Sequence, residues 1–165
     1  MASRRLKRGL ATPTVELVSV DPSAAEAQEC LGRYFAELAL RFREGFEIEK
    51  DAPPEAGDFL APSGCLVVAR LNGAPVGCGA LRTLQCGTGE IKRMWVAPQA
   101  RGLGVGRRIL ERLEQEARQR GLGVVRLDTN EALTEALHLY RSAGYGEIAR
   151  FNDNPYAHHW FEKIL

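Results

Sequence analysis

Long apolar runs are missing. No stretch of the 165-residue chain approaches 18 consecutive apolar residues, so no transmembrane helix and no membrane role are expected. The basic start, Met1 to Pro13, is followed by no apolar segment of the kind a secretory signal needs. Metal-ligand spacing is missing too. His138, His158 and His159 form no ligand pattern with cysteines or carboxylates, and no metal is expected. The four cysteines (Cys30, Cys65, Cys78 and Cys86) include no CxxC pair, and a chain of this length closes a core without covalent staples. Reduced thiols and a cytoplasmic location are expected. Internal repeats and low-complexity tracts are absent. So is any surplus of charge: 22 Lys+Arg face 21 Asp+Glu, a net of +1. The basic segments carry no interleaved aromatics, and nucleic acid is not an expected partner.

What is present fits one domain, residues 13–165, preceded by a tail, 1–12, that holds Arg4, Arg5, Lys7 and Arg8 and no acid. The balanced total hides an asymmetry. Residues 21–60 hold ten acids and four bases; residues 92–120 hold eight bases and three acids. Solvated helix faces account for this pattern. So does a basic surface for an anionic ligand beside an acidic surface for a cationic one. Glycine is in mild excess, 17 of 165 residues, about 10% against a typical ~7%.

Periodicity gives the element order. Thr14–Val20 reads as a strand, and Asp21-Pro22 as the N-cap and first-turn proline of a helix. Leu31, Tyr34, Phe35, Leu38 and Phe42 form that helix's apolar stripe, and Gly45 its end. Residues 47–64 are irregular, with room for a short helical turn. Cys65–Leu71 and Ala74–Leu84 are strands joined by an Asn72-Gly73 hairpin turn, and Glu90–Val96 completes the meander. Gly77 and Gly79 within the second of these strands indicate a bulge or a close approach. Gly104–Arg120 is an amphipathic helix closed by Gly121. Val124–Asp128 reads as a buried strand, and Leu133, Ala136, Leu137 and Tyr140 as a second helical stripe closed by Gly144. Tyr145–Phe151 and His158–Ile164 end the chain as strands, with both histidines read as strand residues. The order β-α-β-β-β-α-β-α-β-β implies a mixed α/β sheet.

The segment from Val96 to Arg108 carries the chemistry. It joins a strand to a helix and places Gly102, Gly104 and Gly106 at alternate positions. Glycine lets the backbone approach a ligand, and a helix start leaves N–H donors without partners. With Arg101, Arg107 and Arg108 these donors suit a pyrophosphate. A Walker A loop is excluded, because Gly106 is followed by Arg107-Arg108. A dinucleotide fingerprint fails in both frames, ending at Arg107 or at Ile109.

Arg101, Gly104 and Gly106 match the pattern [Arg/Gln]-x-x-Gly-x-[Gly/Ala], and the segment resembles the coenzyme A loop of the GNAT superfamily of N-acyltransferases. Gln99, Gly102 and Gly104 match it in a second frame. The resemblance extends through Met94-Trp95-Val96, Leu127 to Asn130 and Ala136 to Tyr145, covering roughly residues 65–165. It implies a GNAT-like fold with splayed central strands and acetyl-CoA as co-substrate. The donor would be held by Met94, Trp95, Val96, Arg101, Gly102, Leu103, Gly104, Val105, Gly106, Arg107 and Asn130. Many family members have an asparagine seven residues before the helix tyrosine. Here that position is Leu133, and Asn130 stands in one turn earlier.

The resemblance also implies catalytic roles. The N–H of Val96 would steady the oxyanion, Tyr140 would protonate the leaving thiolate, and Glu90 would take the proton of the attacking amine, directly or through water. The alternatives are that Tyr140 is the last core residue of its helix and Glu90 a solvent-facing strand end. Asp128 lies at a strand's C-terminal edge, where ligands bind in α/β sheets. The acidic front segment, with Asp153, Asn154 and Tyr156, would line the acceptor side and favour a cationic small-molecule or peptide amine. The expected activity is N-acetyl transfer in a ternary complex, by a monomer or homodimer. An acyl-CoA-binding sensor without turnover is the alternative.

Overall fold

The computed structural model describes residues 13–50, 57–85 and 87–165; the basic tail 1–12 and Cys86 lie outside them. The strands are β1 (Val15–Val20), β2 (Gly64–Leu71), β3 (Ala74–Thr83), β4 (Thr88–Val96), β5 (Val124–Thr129), β6 (Gly146–Ile148) and β7 (His159–Ile164). The helices are α1 (Ala25–Arg41), α2 (Val105–Gln119) and α3 (Thr134–Ser142). They form one seven-stranded sheet in the order β1-β2-β3-β4-β5-β7-β6. The expected element order and mixed α/β class are present.

Local chemistry explains most boundaries. Asn72 and Gly73 both take positive φ (50° and 85°), as a two-residue hairpin turn requires. Alternation along β2 then separates two cores. Cys65, Val67 and Ala69 face α2 and α3; Leu66 and Val68 face α1. Several boundaries differ from the sequence reading, most of them by one or two residues. Helix α1 starts at Ala25, because the Asp21 carboxylate is taken by the Ser23 N–H and hydroxyl (2.8 and 2.6 Å) in a turn before the helix. It ends at Arg41, with Phe42 already extended, so Gly45 closes a following turn instead. Strand β6 has three residues, paired only with β7 at the sheet edge. Among the described residues of 47–64, the expected helical turn is the 3-10 turn Ile48–Lys50.

Two irregularities open the sheet at its centre. The parallel pairing of β4 with β5 covers only Thr88, Gly89 and Glu90 opposite Val124, Val125 and Arg126; beyond these residues the strands part. On the other edge of β4, Cys78 pairs with Trp95 but Ala80 with Lys92, so Arg93 and Met94 together oppose Gly79. This is a β-bulge, with Arg93 at φ 60°.

Gly79 is a site of close approach. A Cβ there would stand 2.7 Å from Ile109 Cγ2 and Met94 Sδ and 2.9 Å from Leu113 Cδ1. Ile109 and Leu113 are fully buried and cannot give way freely. Gly79→Ala is expected to destabilise the protein by about 1–3 kcal/mol, read by urea unfolding.

Candidate active site

The parting of β4 and β5 makes a cleft of about 330 Å³ that meets a smaller pocket of about 60 Å³. Tyr34, Leu38, Met94, Leu133, Ala136 and Tyr140 line both and form the junction.

The cleft is floored by the glycine loop. Gly102 and Gly104 have φ of 79° and 77°, and Gly104 is the N-cap of α2. A Cβ at either would meet nothing within 4 Å, so the positive φ is what requires glycine here. The first intrahelical bond runs from Arg108 N to Gly104 O (3.1 Å). The N–H groups of Val105, Gly106 and Arg107 therefore stand before it, at the positive end of a 15-residue helix. Ala97 N donates to Val76 O (2.7 Å) across the β3–β4 ladder. Alternation then turns the N–H of Val96 the other way, into the gap left by β5.

Arg101 is held within the protein. It donates to both Glu37 oxygens (2.6 and 2.8 Å) and to Val96 O (3.0 Å). Glu37 also accepts from Trp95 Nε1 (2.6 Å). Arg41, bonded to the Ala132 carbonyl (2.8 Å) and to Glu135, ties α1 to the start of α3. Glu37 and Arg41 thus strap both sides of the cleft to α1. Burial pushes the Glu37 carboxyl up, but hydrogen bonds from Arg101 and Trp95 and the Arg101 charge outweigh it, leaving a lowered pKa. A lowered folded-state pKa stabilises the protein above the unfolded value and is lost as pH falls through the folded one. Glu37→Gln is expected to cost about 1–3 kcal/mol at pH 7, with a smaller further loss than the parent protein below about pH 4 by thermal melting.

The smaller pocket is aromatic on one side. Phe46 lies 4.9 Å from Tyr156 and 5.8 Å from Phe42, and the Tyr156 hydroxyl oxygen accepts the Glu47 N–H at 2.9 Å. Asp128 enters from β5. Its oxygens accept from the amides of Asn152 and Asn154, the latter at 3.0 Å. Burial raises the Asp128 pKa, with the Glu90 charge adding to it against Lys92 and the two amides.

Tyr140 is 4% exposed and packs on Tyr145 and Phe161 at ring distances of 6.0 and 6.1 Å. Burial, then the nearby Tyr34, Asp128 and Glu135 groups, push its phenol far above the ordinary value. It is a protonated donor at neutral pH, set at the junction of cleft and pocket.

A family model described as Acetyltransferase (GNAT) family matches residues 31–145. The chain belongs to the GNAT acetyltransferase family. A protein of Azospirillum brasilense named IAA acetyltransferase is 45% identical over 148 residues, 87% of this chain and 91% of its own. A GNAT-family acetyltransferase structure from Staphylococcus aureus superposes with a TM-score of 0.76 at 17% identity, over 92% of this chain and 99% of that one. A Bacillus anthracis structure in complex with acetyl coenzyme A does so with a TM-score of 0.57 at 17% identity, over 64% and 65%.

In this GNAT acetyltransferase the sequence-expected residues separate into groups. Met94, Trp95, Val96, Arg101, Gly102, Gly104, Val105, Gly106, Arg107 and Tyr140 line the cleft. Leu103 does not; it is 51% exposed on the loop's outer side. Asn130 lines the pocket, not the cleft, and clamps two segments by donating to Tyr156 O (2.7 Å) and accepting from Ala132 N (2.8 Å). Glu90 lines neither. It is 1% exposed, held by Arg82 at 2.6 Å, with Lys92 at 3.6 Å, and it is no solvent-facing strand end. Asn152 lies between it and Asp128.

Three acids of the front segment are used inside the protein. Glu26 pairs with Arg70 (2.6 Å), Asp58 with Arg82 (3.2 Å) and Glu37 with Arg101. No described carboxylate of residues 21–60 lines the small pocket. His159 opens β7, whereas His158 lies just before it and accepts the Glu131 N–H (3.2 Å). Sequence reasoning passed over Glu37, whose partners lie 58 and 64 residues away.

Proposed function

We propose that this acetyltransferase moves an acetyl group from acetyl-CoA to the amine of a small molecule by direct transfer between two bound substrates. The observation that carries the reading is the position of Tyr140, a protonated phenol at the junction between the glycine-floored cleft and the pocket that holds Asp128.

The cleft fits the donor. The N–H groups of Val105, Gly106 and Arg107 and the side chain of Arg107 suit its pyrophosphate, and the inward N–H of Val96 suits a thioester oxygen. Arg101 serves by holding the loop to Glu37. In the pocket, Asp128 takes one proton from the acceptor ammonium, and the freed amine forms the new C–N bond as the C–S bond breaks. Tyr140 gives its proton to the departing thiolate and regains one from the nitrogen. Glu90 acts through Asp128, keeping its pKa high across Asn152. The described thiols Cys30, Cys65 and Cys78 are buried and line neither space, which supports transfer without an acyl-enzyme.

Initial rates with both substrates varied test the order of events. Intersecting double-reciprocal lines are expected; parallel lines, the signature of a covalent acyl-enzyme, contradict the proposal.

A further inference from the structure

Asn152 lies between β6 and β7 and lines neither the cleft nor the small pocket. Both polar atoms of its side chain are nevertheless in use. Its Nδ2 donates to Asp128 Oδ2 and, at 3.4 Å, to Glu90 Oε1. Its Oδ1 accepts from Trp160 Nε1 (2.9 Å) and from the Asn154 N–H (3.3 Å). An indole N–H only donates and a carboxylate only accepts, so one orientation of the carboxamide satisfies all four contacts. Two carboxyl groups from different strands thus meet on one NH2 group. Glu90 is the fixed end. It is 1% exposed, and its other oxygen is held by Arg82 Nε at 2.6 Å. Asp128 is the working end. Its Oδ1 accepts from Asn154 Nδ2 at 3.0 Å, and each carboxylate oxygen has a second acceptor position for a substrate ammonium.

We propose that Asn152 is a positioning residue for the transfer: its NH2 group clamps Asp128 to the anchored Glu90 and keeps the Asp128 carboxylate ready for the acceptor. Neighbouring carboxylates with no donor between them favour sharing a proton, and a protonated Asp128 takes none from an amine. The titratable and charged groups around Asp128 are Glu90, Lys92 and Arg93 on β4, Tyr140 on α3, Tyr34 on α1 and Tyr156 before β7. Against the Glu90 charge, the amides of Asn152 and Asn154 and the Lys92 charge favour the ionised form. The inference rests on the proposed role of Asp128 as the base and adds the group that holds it there.

The full chain with acetyl-CoA is assayed by coenzyme A release on an amine panel of phenethylamine, phenylalanine, glycylglycine and spermidine. Profiles of kcat/KM against pH are then taken with the fastest acceptor. Asn152→Ala removes the shared donor. Asn152→Asp keeps the shape and the Trp160 bond but sets a third acceptor in its place. Both are expected to move the acidic limb to higher pH by about 1–2 pH units, the worth of a hydrogen bond to a charged group. This is the direction opposite to that expected for Glu90→Gln. On the limb kcat/KM then falls about 10-fold or more, while on the plateau it stays within about 3-fold of the parent. Trp160→Phe frees the amide to rotate and is expected to move the limb the same way by less. Melting curves and acetyl-CoA binding report folding, and where both Asn152 variants fail to fold, Trp160→Phe decides by the same shift. An unmoved limb in the folded variants, or a rate lowered evenly across pH, overturns the inference. It leaves Asp128 as the base if Asp128→Asn erases the limb. A limb that survives Asp128→Asn overturns the base reading and the inference together. So does no release with any amine while acetyl-CoA still binds, which overturns the acetyl-transfer reading as well.

Discussion

Replacing Asp128 with asparagine is expected to lower kcat/KM by about 100-fold or more, the usual contribution of a positioned base. Asparagine preserves the shape but cannot take a proton. The pH profile gives the sharper reading. Burial and the Glu90 charge raise the Asp128 pKa, so the parent enzyme's acidic limb should lie above the ordinary carboxylate range. Activity is lost as pH falls through that raised value, where Asp128 becomes protonated. Asp128→Asn should erase the limb. Glu90→Gln should keep the base but shift the limb to lower pH, since it removes a negative charge that held the Asp128 pKa up. A limb unmoved in Glu90→Gln would separate Glu90 from the chemistry.

Tyr140→Phe is expected to lower kcat about 100-fold while leaving KM for acetyl-CoA within a few-fold, because it removes only the proton given to the thiolate. The variant should fold. The ring packs on Tyr145 and Phe161, and phenylalanine keeps those contacts. Since the phenol's pKa is pushed up, Tyr140 should produce no alkaline limb in the neutral range. Steady-state kinetics across pH would check both statements. A Tyr140→Phe enzyme at the parent rate would reduce Tyr140 to a core residue of α3.

The glycine-floored cleft was legible because its signals are local. Three alternate glycines between a strand and an amphipathic helix specify positive φ, exposed N–H groups and a helix start within a few residues. The hairpin at Asn72-Gly73 and the close approach at Gly79 were marked in the same way. The small pocket was not legible, because it is assembled from distant segments. Its bulge falls at Arg93, which no glycine announces. Strand alternation turned Glu90 into the ion pair with Arg82 and left Asp128 to reach the pocket, a distinction set by the register between β4 and β5. The acidic front segment illustrates the same limit. Its charge count was correct, but Glu26 and Glu37 find arginines 44 and 64 residues away, so these two charges close the fold. Asp21-Pro22 has the composition of a helix cap, yet Ser23 captures the carboxylate first.

The most direct test of acetyl transfer follows the acetyl group itself. The full chain is incubated with acetyl-labelled acetyl-CoA and the amine panel, and amide, free coenzyme A and intact protein mass are measured together. One labelled amide per coenzyme A thiol, formed only when an amine is present and with no label left on the protein, is the predicted result. Acetyl-CoA binding with no labelled amide from any amine would contradict it and make the protein an acyl-CoA sensor.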